Sequence, residues 1–180
     1  PDLYTRKADL TKLATMDQIR PIVNTKYDTE LVSDYDATVD YVRANFNGDL
    51  TRMAITGFCR GGRTPLVYAA TNPKLKAVVS WYGPVGGAAN EYTPRTAMDR
   101  VGEIKSPVLG LYGAKDAGVP VANVEKFFAA LQAAGTPSEL VIYPDQWHGI
   151  GTPSYQKDRY ERYIAWYDSF LKPRGALTGE

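Results

Sequence analysis

Apolar and polar positions along the chain fall into two alternating periods. Residues 76–82, with Ala-Val-Val-Ser-Trp in the middle, and residues 108–112 are continuous apolar runs, as expected of strands buried on both faces. Residues 52–56 and 139–143 read as two further strands. Helical spacing appears between and around them. Leu31, Val32, Tyr35, Val39 and Val42 share one face of a helix over 30–45, which Asp28 or Thr29 can cap. Residues 60–72 read as a helix stopped by Pro73, and residues 121–134 as one stopped by Gly135, with Val124, Phe127, Phe128 and Leu131 on its apolar side. Tyr160, Tyr163, Ile164, Tyr167 and Phe170 give a closing helix over 155–171. A short helix is predicted over 94–101. Residues 1–26 are weakly periodic, and Pro1-Asp2-Leu3-Tyr4 reads as a strand end entering a loop. The tail over 173–180 reads as mobile.

No repeat or linker divides residues 1–180, so one domain is predicted. Strands alternating with helices predict an α/β fold, with a mainly parallel sheet covered by helices on both faces. The four strands should lie in sequential order, with the outer edge of the first unpaired. Ligands of such sheets bind at the carboxyl ends of the strands.

That rule sorts the chemistry. Residues 57–61 read Gly-x-Cys-x-Gly between a strand and a helix, the pattern of a nucleophile elbow with Cys59 in the usual serine position. The flanking glycines are expected to let strand and helix pass closely. A helix N-terminus favours negative charge, and therefore a Cys59 thiolate. Asp116 and His148 each lie just past another strand end. The order nucleophile, acid, histidine is that of α/β-hydrolases. Asp145 is the rival acid, but it sits three residues from His148 in the same loop, so Asp116 is preferred. Asp99 and Glu103 precede a strand and belong at the opposite end of the sheet. Phe58, Trp81, Tyr82, Tyr112 and Trp147 cluster near the strand ends and suggest an aromatic pocket. The Arg60 side chain reads either as a solvated group or as an attractor of an anionic substrate.

Composition narrows the picture by exclusion. A formal net charge of +1 gives no sign of a nucleic-acid partner. No run approaches the length of a transmembrane helix, so no membrane partner is expected. One Cys rules out an internal disulfide, and one His makes a zinc site a poor reading, so no metal is expected.

Several segments together carry a resemblance: Pro1-Asp2-Leu3-Tyr4, Gly57-Phe58-Cys59-Arg60-Gly61-Gly62, Trp81-Tyr82-Gly83, Leu111-Tyr112-Gly113-x-x-Asp116 and Trp147-His148-Gly149. The chain resembles the dienelactone hydrolase (carboxymethylenebutenolidase) family of the α/β-hydrolase fold along nearly its whole length. The resemblance implies a cofactor-free hydrolase of small esters or lactones, expected in the cytoplasm. Cys59 would be the nucleophile, His148 the general base and Asp116 its orienting acid. The backbone N–H of Arg60 would donate to the oxyanion, and Arg6 would help hold a substrate carboxylate. Phe58, Trp81, Tyr82 and Trp147 would line the substrate pocket. The Arg that dienelactone hydrolase carries shortly after its histidine has no counterpart in residues 149–153. Family members reach their Pro-Asp-Leu-Tyr stretch after several strands. The resemblance therefore implies an N-terminally incomplete domain, whose sheet an upstream segment or a second chain would complete. A thioesterase or acyltransferase with the same triad, and a non-catalytic binding module on this scaffold, are the alternative readings.

Overall fold

A computed structural model describes residues 1–172; the predicted mobile tail lies outside the described residues. In chain order the elements are α1 (Met16–Asn24), α2 (Asp28–Asn45), β1 (Ala54–Phe58), α3 (Arg60–Ala69), β2 (Ala77–Trp81), β3 (Val108–Gly113), α4 (Val121–Ala133), β4 (Ser138–Tyr143) and α5 (Pro153–Leu171). The four strands form one parallel sheet in the order β1-β2-β3-β4. Among the described residues the outer side of β1 is an edge, and residues 1–51 contribute helices and turns but no strand.

The continuous apolar runs of β2 and β3 are fully buried because each side of the sheet has its own core. The period of two sends Val78, Val108 and Tyr112 to one face, where they meet Leu66 and Tyr68 of α3 and Val124, Phe127, Phe128 and Leu131 of α4. Val79, Trp81, Leu109 and Leu111 go to the other face, where Tyr163, Trp166 and Tyr167 of α5 cover them. The α2 helix packs on α3, and Tyr35 Oη lies 3.1 Å from Thr64 Oγ1.

Gly135 ends α4 as expected, at φ 76°. Its N–H bonds the Gln132 carbonyl and the Thr136 N–H bonds that of Leu131, which makes a Schellman motif. Three expectations need correction. Residues 1–4 form no strand: Asp2 Oδ1 accepts from the Tyr4 and Thr5 amides and curls the chain into a turn. Residues 94–101 form no α-helix; a 3₁₀ turn over Met98–Glu103 follows the local bonds between Thr96 and Asp99. Residues 16–24 form a helix where periodicity was too weak to show one. Thr15 caps it through the Gln18 amide, and the Gln18 side chain reaches back to the Thr15 amide. Pro21 inside that helix reads as a breaker in the sequence and masks it.

Candidate active site

The turn from β1 into α3 sets Cys59 at φ 56°, ψ −127°, a conformation that non-glycine residues rarely adopt. Hydrogen bonds on both sides hold it there. The Cys59 amide donates to the Trp81 carbonyl at 3.0 Å, and the Gly62 amide donates to the Cys59 carbonyl at 2.8 Å. A Cβ on Gly57 would fall 1.8 Å from the Gly61 carbonyl oxygen, so only glycine fits there. On the helix side the close approach belongs to Gly62 rather than Gly61. A Cβ on Gly62 would meet the Trp81 carbonyl at 2.6 Å, whereas one on Gly61 meets nothing within 4 Å. The Cys59 thiol is free and exposed, at the N-terminal end of α3, where helix amides lack intrahelical partners.

Asp116 and His148 arrive from two other strand ends. His148 Nδ1 lies 2.7 Å from Asp116 Oδ2, although the residues are 32 apart in sequence. Asp116 is 5% exposed. Its other oxygen, Oδ1, accepts the amides of Gly118 at 2.9 Å and Val119 at 3.1 Å. Two backbone amides and an imidazole nitrogen thus surround a buried carboxylate. The two loops can touch because Gly113 has no side chain: a Cβ there would fall 2.4 Å from the Gln146 carbonyl oxygen and 2.5 Å from that of Trp147. The Lys115 amide bonds the same Gln146 carbonyl at 2.8 Å. Asp145 stands apart. It pairs with Lys115 at 2.8 Å on the surface, and that hydrogen-bonded ammonium holds its carboxyl below the usual range.

Cys59, Arg60, Asp116, Trp147 and His148 line one open cleft of about 490 Å³, with Pro84, Ala117, Gly118 and Val119 as its remaining wall. The hydrogen bond that His148 forms is to Asp116; it makes none to the Cys59 thiol. Tyr82 packs edge-on against the His148 ring, with centroids 4.6 Å apart, from a strained backbone at φ 39°. Burial pushes its phenol up, while the nearby Arg159 guanidinium acts the other way. Among the described residues no group of three His, Cys, Asp or Glu side chains could hold a metal ion.

The other expected residues scatter. Trp147 is 65% exposed at the cleft rim. Trp81 is 1% exposed and belongs to the core, where its indole N–H bonds Thr56 Oγ1 at 2.8 Å. The expectation that it lines the pocket is therefore corrected, because inward alternation along β2 turns it under α5. Phe58 is half exposed and stacks on Trp81 outside the cleft lining. Tyr112 is buried against Ser80 and the Gly83 carbonyl. Arg6 also lies outside the cleft, because Asp34 of α2 holds its guanidinium. Arg60 lines the cleft, but its guanidinium is engaged on the side of α1. Its guanidinium donates to Asn24 Oδ1 at 3.0 Å and to the Val23 carbonyl at 2.9 Å, tying the end of α1 to the elbow. Sequence reasoning missed the amides of Gly118 and Val119. The spacing Asp116-x-Gly118 is the local signal that could have found them, since Asp side chains bond amides two and three residues on.

Comparison with known proteins bears on the family and the fold. A protein of Methylorubrum extorquens named "Putative carboxymethylenebutenolidase" is 37% identical over 178 residues, which is 94% of this chain and 61% of that one. The chain therefore spans less than two thirds of that relative's length. A crystal structure described as a "Putative Dienelactone Hydrolase" from Klebsiella pneumoniae superposes with a TM-score of 0.88 at 35% identity, covering 94% of this chain and 74% of that chain. Pyrococcus horikoshii acylaminoacyl peptidase superposes at 0.72 with 18% identity, covering 82% of this chain and 28% of that one, and shows the α/β-hydrolase fold alone. The model of the dienelactone hydrolase family matches residues 1–172, and the chain belongs to that family.

Proposed function

We propose that this chain carries the catalytic groups of an ester or lactone hydrolase that works through a Cys59 acyl-enzyme. One observation carries the reading: a strained, exposed cysteine at a helix N-terminus shares a cleft with a histidine whose far nitrogen is held by a buried carboxylate. His148 takes the thiol proton, and Asp116 stabilises the resulting imidazolium. The thiolate attacks the substrate carbonyl carbon, and the C=O electron pair moves onto oxygen. The backbone N–H of Arg60, the residue after the nucleophile, donates to that oxyanion. Collapse breaks the C–O bond, and the leaving alkoxide takes its proton from His148. Water, deprotonated by His148, then attacks the thioester and releases the acid and the free thiol.

The cleft wall of Pro84, Val119 and Trp147 is apolar, which suits a small organic acyl group rather than a charged polymer. We place the protein in the cytoplasm, where a free catalytic thiol stays reduced. No helix among the described residues is long and apolar enough to cross a membrane.

The test is intact-mass spectrometry after brief mixing with p-nitrophenyl esters, thioesters and lactones. An acyl adduct mapping to Cys59, absent from Cys59→Ala along with turnover, is the expected result. Turnover that survives in Cys59→Ala, with no adduct in the parent, defeats the reading. Preference within the panel separates an esterase or lactonase from a thioesterase.

A further inference from the structure

Arg159, on the second turn of α5, has no counterpart among the groups assigned so far. Its Nη1 donates to the Gly149 carbonyl at 2.8 Å and to the Ile150 carbonyl at 3.2 Å. These are the two residues directly after His148. Both have positive φ, 120° at Gly149 and 51° at Ile150, so the chain turns back sharply as it leaves the histidine. In that turn the two carbonyls face α5. The guanidinium is itself confined, 5.3 Å from the Trp81 ring centroid and 5.2 Å from that of Tyr160. Its Nε is buried without an oxygen partner, so the aromatic faces are its company on that side. Trp81 in turn accepts the Cys59 amide through its carbonyl. One cation thus bridges the chain that supports the nucleophile and the loop that carries the histidine.

We infer that Arg159 is a positioning residue for His148. It fixes the 149–150 turn and thereby aims the imidazole between Asp116 and Cys59. On the other flank of the loop, Gln146 is laced to Thr152 through both of its amide atoms, at 2.8 and 3.1 Å. Without Arg159 two carbonyls lose a charged donor, and Ile150, 1% exposed, loses the bond that holds its unusual backbone. The inference rests on reading His148 as the general base.

His148 is the single histidine of the chain, so its imidazole gives one unambiguous NMR signal. The experiment compares the parent with Arg159→Met and Arg159→Lys. It follows the Nδ1 proton shared with Asp116, then kcat and KM on the best ester of the panel. In Arg159→Met the Nδ1 proton should be lost to exchange and kcat should fall about 10²-fold, the scale of an ångström of misplacement. KM should stay within about twofold, as for a group acting on the chemical step rather than on binding. Lysine restores one donor and should recover part of both signals. A purely structural role would lower the melting temperature and leave the Nδ1 proton in place. An unchanged Nδ1 resonance in a folded Arg159→Met overturns the inference. If that variant does not fold, Arg159→Gln decides in the same way. The resonance is read without substrate, so an inactive parent would sink the hydrolase reading while leaving Arg159 judged on its own evidence.

Discussion

Cys59 pays a conformational cost of about 1–3 kcal/mol for its place on the elbow, since residues with a Cβ avoid that region of backbone space. Neighbouring bonds hold it, and the result is a thiol presented at the carboxyl edge of the sheet. The choice between the two nearby aspartates is also made residue by residue. Asp116 is buried with two backbone amides and an imidazole nitrogen around it, whereas Asp145 faces solvent and Lys115. Asp116→Asn should therefore lower kcat about 10⁴-fold with the fold retained, because an amide favours the wrong imidazole tautomer. Asp145→Asn should change it by less than about fivefold, since an exposed pair contributes at most about 1 kcal/mol. Steady-state rates and thermal melts of both variants check the ranking, and the reverse ranking would move the acid to Asp145. Chain order pointed to Asp116 from the sequence. The fates of Arg6 and Arg60 were not legible there, because a guanidinium goes to whichever acceptor the fold brings near, and Asp34, Val23 and Asn24 belong to helices packed from elsewhere.

At the scale of elements the elbow depends on a near-collision. β1 and α3 cross so tightly that a methyl at residue 57 would overlap a carbonyl oxygen of the helix. Gly57→Ala should lower stability by about 1–3 kcal/mol or more, since backbone cannot yield as a flexible side chain can. Gly61→Ala should cost far less, because nothing lies within 4 Å of its added carbon. Chemical denaturation of the two variants tests this, and equal losses would show that the helix shifts to make room. The central strands were legible as short continuous apolar runs, and the three long helices because each keeps one period over many residues. The α1 helix was not, since nine residues with an internal proline carry little periodicity. Its one local signal was the pairing of Thr15 with Gln18.

For the whole molecule, the helix layers that bury the sheet also bury phenols. Burial pushes Tyr68, whose hydroxyl donates to Asp36, up to about 12, and does the same to Tyr167 under the sheet. Both ionise near 10 in the unfolded chain. The folded state thus keeps protons that the unfolded state releases, so their contribution is complete below pH 10 and is lost as pH rises toward 12. Unfolding free energy measured by urea titration should be level on this account up to about pH 10 and then decline. Tyr167→Phe should decline less steeply, and an identical slope would show that other groups govern alkaline unfolding.

The sequence by itself determined the alternation of strands and helices, their parallel order, and the edge on which Cys59, Asp116 and His148 gather. Those follow from local periods and from chain order, which survive without knowledge of any contact. Only the tertiary structure decided that Trp81 is core, that Arg60 and Arg6 are engaged by helices, and that Arg159 reaches the turn after His148. Such partnerships depend on where backbone carbonyls and side chains from distant segments come to lie within about 3 Å, and spacing along one strand or helix carries no information at that range.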